Sequence, residues 1–391
     1  MTLIRTSLLL TALLLTQAPT ALAGTHYRVT ILSTLGGGFT DANGITNLGR
    51  INGSSQLPGN QTEHAVTWTI SGRITDLRTL GGSNSSAAFP VKDEEQVVGN
   101  SQVSAPDQLG ENFCAFTTCN GIACQEIGMC RAFVAGTGYI KALPLLGGNN
   151  SWGVGANSKG KKVGISETDT VDPTCAAPQV LDYAAVVWDE DGDSVLKLEP
   201  LAGDKVGGAA EINDRGQIVG ATGACGPVGA AAFGHAILWD AEDDYKPRDL
   251  GNFGGAFNNV AVAINNSTQI VGWSDLPADA VFHAFLWQKG RLNDLGTLPG
   301  DIYSFGNSIN EAGTIVGQSC DANFNCRATL WHHGVIADLN TLVPAGSPSL
   351  VSANDINNQG QIVGSAIDPA TGNTVGFLAS PDDSDTGANA K

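Results

Sequence analysis

A phrase ending in Ile-Val-Gly returns along almost the whole chain and constrains its fold more than any other feature. The clearest copy is Ile212-Asn213-Asp214-Arg215-Gly216-Gln217-Ile218-Val219-Gly220. Close copies end at Gly272 (AINNSTQIVG), Gly317 (SINEAGTIVG) and Gly364 (DINNQGQIVG), and weaker ones at Gly53 (ITNLGRING), Gly99 (VKDEEQVVG) and Gly164 (ANSKGKKVG). Seven copies spaced 45 to 65 residues apart mark a repeat architecture, in which no unit can bury its own apolar surface and each must stack on its neighbours.

Each copy heads a longer unit. An apolar phrase follows it: HAVTW at 64–68, RAFVA at 131–135, AAVVW at 184–188, HAILW at 235–239, HAFLW at 283–287, RATLW at 327–331 and VGFLA at 375–379. Next come a turn, a strand closing on Asp-Leu (Asp76-Leu77, Asp249-Leu250, Asp294-Leu295, Asp338-Leu339) and a glycine corner such as LGG at 35–37, 80–82 and 146–148. Four short strands result: A runs into the Asn, B carries Ile-Val-Gly, C the Trp and D the Asp-Leu. Between A and B, Asn-x-x-Gly supplies residues that tolerate positive φ. Strands joined this tightly pair antiparallel, and radial stacking of such sheets leaves few exposed edges. The expected fold is an all-β, seven-bladed β-propeller of four-stranded antiparallel blades, with the Trp residues packed between blades.

The two ends specify how the ring closes. The seventh unit has strands A (Leu350 to Ile356), B (Gln361 to Ser365) and C (Thr374 to Ser380) but lacks D. Before the first glycine corner stands a spare strand, Tyr27 to Leu32. The N-terminal strand is therefore expected to complete the last blade. A linear solenoid would need polar capping repeats instead.

The phrases HAFLW, DLGTLPG and INxxGQIVG resemble the HAF-repeat family of bacterial extracellular proteins. The resemblance spans nearly the whole chain after the leader, strongest in the last four repeats and diluted in the second and third. It implies export and a propeller-like repeat fold, and brings no activity or catalytic residues with it.

Residues 1–23 read as a signal peptide: Arg5, a short apolar run from Ser7 to Thr16, and the small-residue site Ala21-Leu22-Ala23. The run is too short to span a membrane. Residues 24–380 are assigned to the propeller and 381–391 to a disordered tail, and a secreted (extracellular or periplasmic) monomer is expected. The formal net charge of −18 becomes one unit more negative once Arg5 is removed. A chain so acidic repels nucleic acid and anionic membranes, which are bound through Lys and Arg. No nucleic-acid partner, membrane insertion or cofactor is expected.

Eight cysteines in an exported chain should be mostly paired. Cys320 and Cys326 can close a small loop, and Cys175 and Cys225 fall in equivalent loops of successive repeats. Cys114, Cys119, Cys124 and Cys130 crowd one segment, and their spacing lacks the CxxC knuckle of a zinc site, so disulfides are preferred there.

Enzymatic motifs are scarce, with no P-loop, HExxH or GxSxG. His64, His235 and His283 share one repeat position with Arg131 and Arg327, which suits a structural place at a strand end better than a metal ligand. His332-His333 reads as solvated. Asp189-Glu190-Asp191-Gly192-Asp193 has acids at alternate positions, yet without the closing Glu of a calcium loop it reads as a C–D turn. No metal site is expected.

Length variation is concentrated in the B–C connections, at 100–130, 166–183 and 221–234. These share one face with the D–A connections, where a scaffold usually places binding. Phe39, Trp152, Phe257 and Tyr303 recur after the glycine corners, with Trp273 just after strand B on the same face. They either cap the blade cores or form a ring of stacking groups suited to sugars. The leading expectation is a non-enzymatic binding module for an extracellular glycan or protein. The alternatives are a carbohydrate-active hydrolase or lyase with acids at the channel mouth, and a structural surface or matrix protein.

Overall fold

A computed structural model describes residues 26–88, 96–111, 113–114, 128–136, 138–227 and 233–382. It is a seven-bladed β-propeller, each blade an antiparallel sheet in the order A-B-C-D. Blade 1 comprises Thr40–Ile45, Ile51–Gln56, Glu63–Trp68 and Ile74–Arg78; blade 2 Gly81–Ala87, Val97–Pro106, Gly128–Gly136 and Tyr139–Ala142. Blade 3 is Gly147–Ala156, Lys162–Val171, Leu181–Trp188 and Val195–Lys197; blade 4 Val206–Ile212, Gln217–Gly223, His235–Asp240 and Pro247–Asp249. Blade 5 is Asn259–Ile264, Ile270–Asp275, Phe282–Gln288 and Arg291–Asp294; blade 6 Tyr303–Ile309, Ile315–Cys320, Cys326–His332 and Val335–Asp338. Blade 7 takes Ser349–Ile356, Ile362–Ile367 and Thr374–Pro381 from the C-terminal end and Tyr27–Ile31 as its strand D.

That shared blade has a continuous register from Tyr27 opposite Pro381 to Ile31 opposite Phe377. Pro381 is thus part of a strand, and the Asp382 amide donates to the His26 carbonyl. This corrects the expected start of the tail at 381: a paired strand has its backbone groups satisfied and stays ordered. The expected signal peptide and residues 383–391 lie outside the described residues. Among the described residues no helix is long and apolar enough to cross a membrane.

The glycine of Ile-Val-Gly has a steric cause. In blades 1 and 3–7 strand A carries a β-bulge directly after the residue paired with that glycine, as between Ala209 and Glu211 opposite Gly220. A Cβ on Gly220 would overlap the Gly208 carbonyl oxygen, and Gly53, Gly164, Gly272, Gly317 and Gly364 stand in the same relation to strand A. The bulge brings backbone where a side chain would go, so only glycine fits.

The Asn of Ile-Asn does two jobs. In blade 4, Asn213 Oδ1 accepts the amides of Arg215 and Gln217, forming an Asx turn. Its Nδ2 donates to the Asn265 carbonyl of blade 5 at 3.1 Å. The same link runs from Asn157 to Asn213, Asn265 to Asn310, Asn310 to Asn357, and Asn357 to Thr46 across the ends of the chain. One residue further on, a parallel set joins Asp214, Asn266, Glu311, Asn358 and Asn47 through side-chain oxygens that accept backbone amides of the preceding blade. The A–B turns of blades 3 to 7 and of blade 1 therefore form a hydrogen-bonded arc on one face.

The tryptophans pack between blades, as the repeat implied. Trp68, Trp188, Trp239 and Trp331 are buried. Their indole Nε1 groups donate to the carbonyls of Ser33, Pro144, Glu199 and Leu295, each just beyond strand D of the preceding blade. Trp287 instead carries the Arg248 guanidinium 5.1 Å from its ring centroid. The apolar clusters span blade pairs: Val163, Ala185 and Val187 of blade 3 pack with Ile212, Ile218 and Trp239 of blade 4.

Candidate functional site

The opposite face is built by the B–C and D–A connections, and disulfides fasten its long loops. Cys114 pairs with Cys130, Cys175 with Cys225, and Cys320 with Cys326. Cys119 and Cys124 lie outside the described residues. The Cys175–Cys225 bond joins the B–C loops of blades 3 and 4. Three disulfides suit an oxidising compartment.

A conserved pairing of types explains the strand-C histidines. His64 Nδ1 lies 3.0 Å from Asp76, and His283 Nδ1 3.0 Å from Asp294, each Asp being that of the Asp-Leu on strand D. Arg327 occupies this position in blade 6, reaching both Asp338 and Asp301. His235 turns instead to Asp204 of the D–A connection. Burial alone would raise Asp294, but its bonds to His283 and the Gly296 amide leave it below the usual carboxylate range. These are clamps on strand D, so His and Arg interchange. His332 differs from expectation: it is half-buried, with Nδ1 3.0 Å from Thr314 Oγ1. Thr314, directly before strand B, is its partner.

The acidic run at 189–193 is the C–D turn of blade 3. Asp189 accepts the Ser194 hydroxyl and the Asp193 amide, which hold its carboxyl down at about 2. Its oxygens are spent on the turn, and Asp193 pairs with Lys141 of blade 2.

A buried pair of carboxylates lies under the B–C loops of blades 2 and 3. Glu111 and Glu167 are both fully buried, and Gln179 Nε2 donates to each at 3.0 Å. Burial first, then the negative charge of Glu111, push Glu167 up to about 7. Glu111 Oε1 accepts the Val180 and Leu181 amides, while its buried Oε2 has no hydrogen-bond partner. A proton on Glu167 relieves both its burial and its repulsion by Glu111. The pair locks two loops together and has no access to solvent.

The five aromatic residues picked from sequence do not form one ring. Measured from the strand-A bulge, Phe39 and Tyr303 lie four residues before it and Trp152 only two, so they sit at different depths. Phe39 is half-buried and Phe257 is exposed in the D–A connection, apart from the others. Trp273 lies inside strand B rather than after it, paired with Val260. The structure does bring Trp273 and Tyr303 into one row, through residues that spacing did not reveal. Trp273 meets Phe305 edge-on at 5.2 Å, Phe305 meets Phe282 at 4.7 Å, Phe282 meets Tyr303 at 5.0 Å, and Tyr303 stacks on Phe324 at 4.6 Å and 17°. The first four rings are half-buried and Phe324 is 56% exposed.

Phe324 is held at a cost. Its φ is +58°, a region unfavourable for a bulky residue. The loop that imposes it is closed by Cys320–Cys326, and Asp321 accepts the amides of Asn323 and Asn325. The signal that could have found this row is the i, i+2 spacing of Tyr303 and Phe305, which puts both rings on one face of strand A.

Trp152 belongs elsewhere, to the channel. With Val154, Ile165, Phe233 and Val260 it lines a cavity of about 450 Å³ among the A strands of blades 1–5.

The sequence matches no known protein-family model, and no curated protein is recognisably similar to it. Solved structures do share its shape. An oligogalacturonate lyase in complex with manganese aligns over 92% of this chain and 97% of its own, at 12% identity and a TM-score of 0.52. The β-propeller domain of the Trilobed protease from Pyrococcus furiosus covers 76% of this chain and 80% of its own, at 10% identity and a TM-score of 0.45. A gluconolactonase from Xanthomonas campestris aligns over 93% of both chains, at 10% identity and a TM-score of 0.42. At such identities the likeness is one of fold alone.

Proposed function

We propose that this protein is an exported, non-enzymatic binding module of HAF-repeat type that takes a neutral extracellular glycan on its B–C/D–A loop face. The observation that carries this reading is the row Trp273–Phe305–Phe282–Tyr303–Phe324, ending in a strained, exposed phenylalanine. Aromatic rings offer apolar area to the C–H faces of sugars, and the exposed Asn323 beside Phe324 offers an amide to hydroxyls. The net charge of −18 disfavours anionic polysaccharides. A hydrolase needs two carboxylates facing a shared cleft, whereas Glu167, the carboxylate raised to about 7, is sealed beneath the loops.

A glycan array tests this with the wild type, Tyr303→Ala, Phe324→Ala and Trp152→Ala. Binding by the wild type and by Trp152→Ala, with at least tenfold weaker binding by the other two, supports the reading. A blank array, or equal binding by all four, overturns it.

A further inference from the structure

We propose that the central channel holds a second ligand site, specific for an uncharged small molecule with a largely apolar body. Strand A is the inner strand of its blade, in contact with the A strands of neighbouring blades; its bulge residues in blades 1 and 3–7 are Asn43, Val154, Ala210, Val262, Asn307 and Asn354, and Ala88 directly follows strand A of blade 2. In blades 6, 7 and 1 they are amides that bridge to the next blade: Asn307 donates to the Ala353 carbonyl, Asn354 to that of Ala42 and Asn43 to that of Ala87. In blades 2–5 they are apolar. The channel wall is therefore two-sided, hydrogen-bonding on one arc and hydrocarbon on the other.

The cavity lies against the apolar arc. Its volume of about 450 Å³ falls within the range of small-molecule pockets, roughly 300–1,000 Å³. Trp152, Ile165 and Phe233 wall it, the Asn43 and Asn100 side chains border it, and among the described residues none of those lining it carries a charge. A charged ligand would lose its hydration with nothing there to pair with. A neutral molecule gains by burying its apolar surface against the indole and can direct one polar group to the amides. The cavity meets the aromatic row of blades 5 and 6 only at Val260, opposite Trp273, and none of Phe282, Tyr303, Phe305 and Phe324 lines it, so the site stands whether or not that row binds sugar.

The test uses the full mature chain and two fluorescent probes: Prodan, a neutral naphthalene with one ketone oxygen, and the anionic naphthalene sulfonate ANS. The expected result is saturable, one-to-one Prodan binding with blue-shifted emission, and ANS binding at least tenfold weaker. Ala210→Leu and Val154→Phe each place a larger side chain in the cavity and should weaken Prodan at least tenfold while the circular dichroism stays that of the wild type. If one variant fails to fold, the other gives the readout. Tyr303→Ala should leave Prodan binding unchanged. No saturable Prodan binding, ANS binding of equal strength, unaltered binding by a folded filling variant, or loss with Tyr303→Ala would each overturn the proposal.

Discussion

The side-chain amide of Asn357 donates to the carbonyl of Thr46 at 3.1 Å, joining residues 311 positions apart. This bond continues, across the two ends of the chain, the same link that connects neighbouring blades elsewhere. The seam is thus held by the repeat's own chemistry as well as by the pairing of Tyr27–Ile31 with Thr374–Pro381.

Asn357→Asp separates the two jobs of the residue. The carboxylate can still accept the Gln359 and Gln361 amides, but it can no longer donate to Thr46 or to Gln361 Oε1. With the site buried, the expected loss is about 2 kcal/mol. Urea unfolding of the variant checks this, and a loss below about 0.5 kcal/mol would assign the residue to its turn alone.

Gly220→Ala should cost on the order of 3 kcal/mol or prevent folding, because its Cβ would enter the Gly208 carbonyl. Gly290, in a turn with φ +78° and open space around it, is the control. Its change to Ala should cost about 1 kcal/mol, the strain of a left-handed residue. Equal midpoints for the two variants would contradict the bulge explanation.

Stability should fall as pH rises from about 4.5 to about 7 through the contribution of Glu167. Its folded pKa is raised, so the native state binds more protons than the unfolded chain in that window, and the slope of unfolding free energy against pH is negative there. Below the window both states are protonated and above it both are ionised, so the contribution is flat. Glu167→Gln should remove this component, and thermal melts of both proteins at pH 4.5, 6 and 8 measure it.

The disulfides should differ in worth by loop length. Replacing Cys175 and Cys225 together by Ser, opening a separation of 50 residues, should cost roughly 4 kcal/mol, against roughly 2 kcal/mol for Cys320 and Cys326, six apart. Denaturant midpoints of the two double variants give the ordering, and the reverse order would contradict it.

The ring was legible because its determinants recur. Seven Ile-Val-Gly phrases, a missing strand after Thr374–Ser380 and a spare one at Tyr27 are counts that need no geometry. The Asx turn at Asn213 was legible too, since it is local. Its second bond to Asn265 was not, because an amide required by its own turn gives no sign of a distant acceptor. The aromatic site was half-legible. Tyr303 and Trp273 were picked out, but Phe282, Phe305 and Phe324 were not. Depth along strand A is set by the bulge, a backbone irregularity that residue types mark only indirectly, so recurrence after a glycine corner put Trp152 and Tyr303 in one class although they lie two positions apart. The Glu111–Glu167 pair crosses from one blade's loop to the next, and nothing in either segment announces the other.

The blade shared by both ends has a consequence for the order of assembly. Among the described strands Tyr27–Ile31 comes first along the chain, and its partner Thr374–Pro381 comes last. Every other blade can form from contiguous chain as it emerges. This one must wait, so Tyr27–Ile31 stays unpaired until Thr374–Pro381 has been made. Closure of the ring thus couples the two ends of the propeller, and until they meet the last blade keeps an open edge.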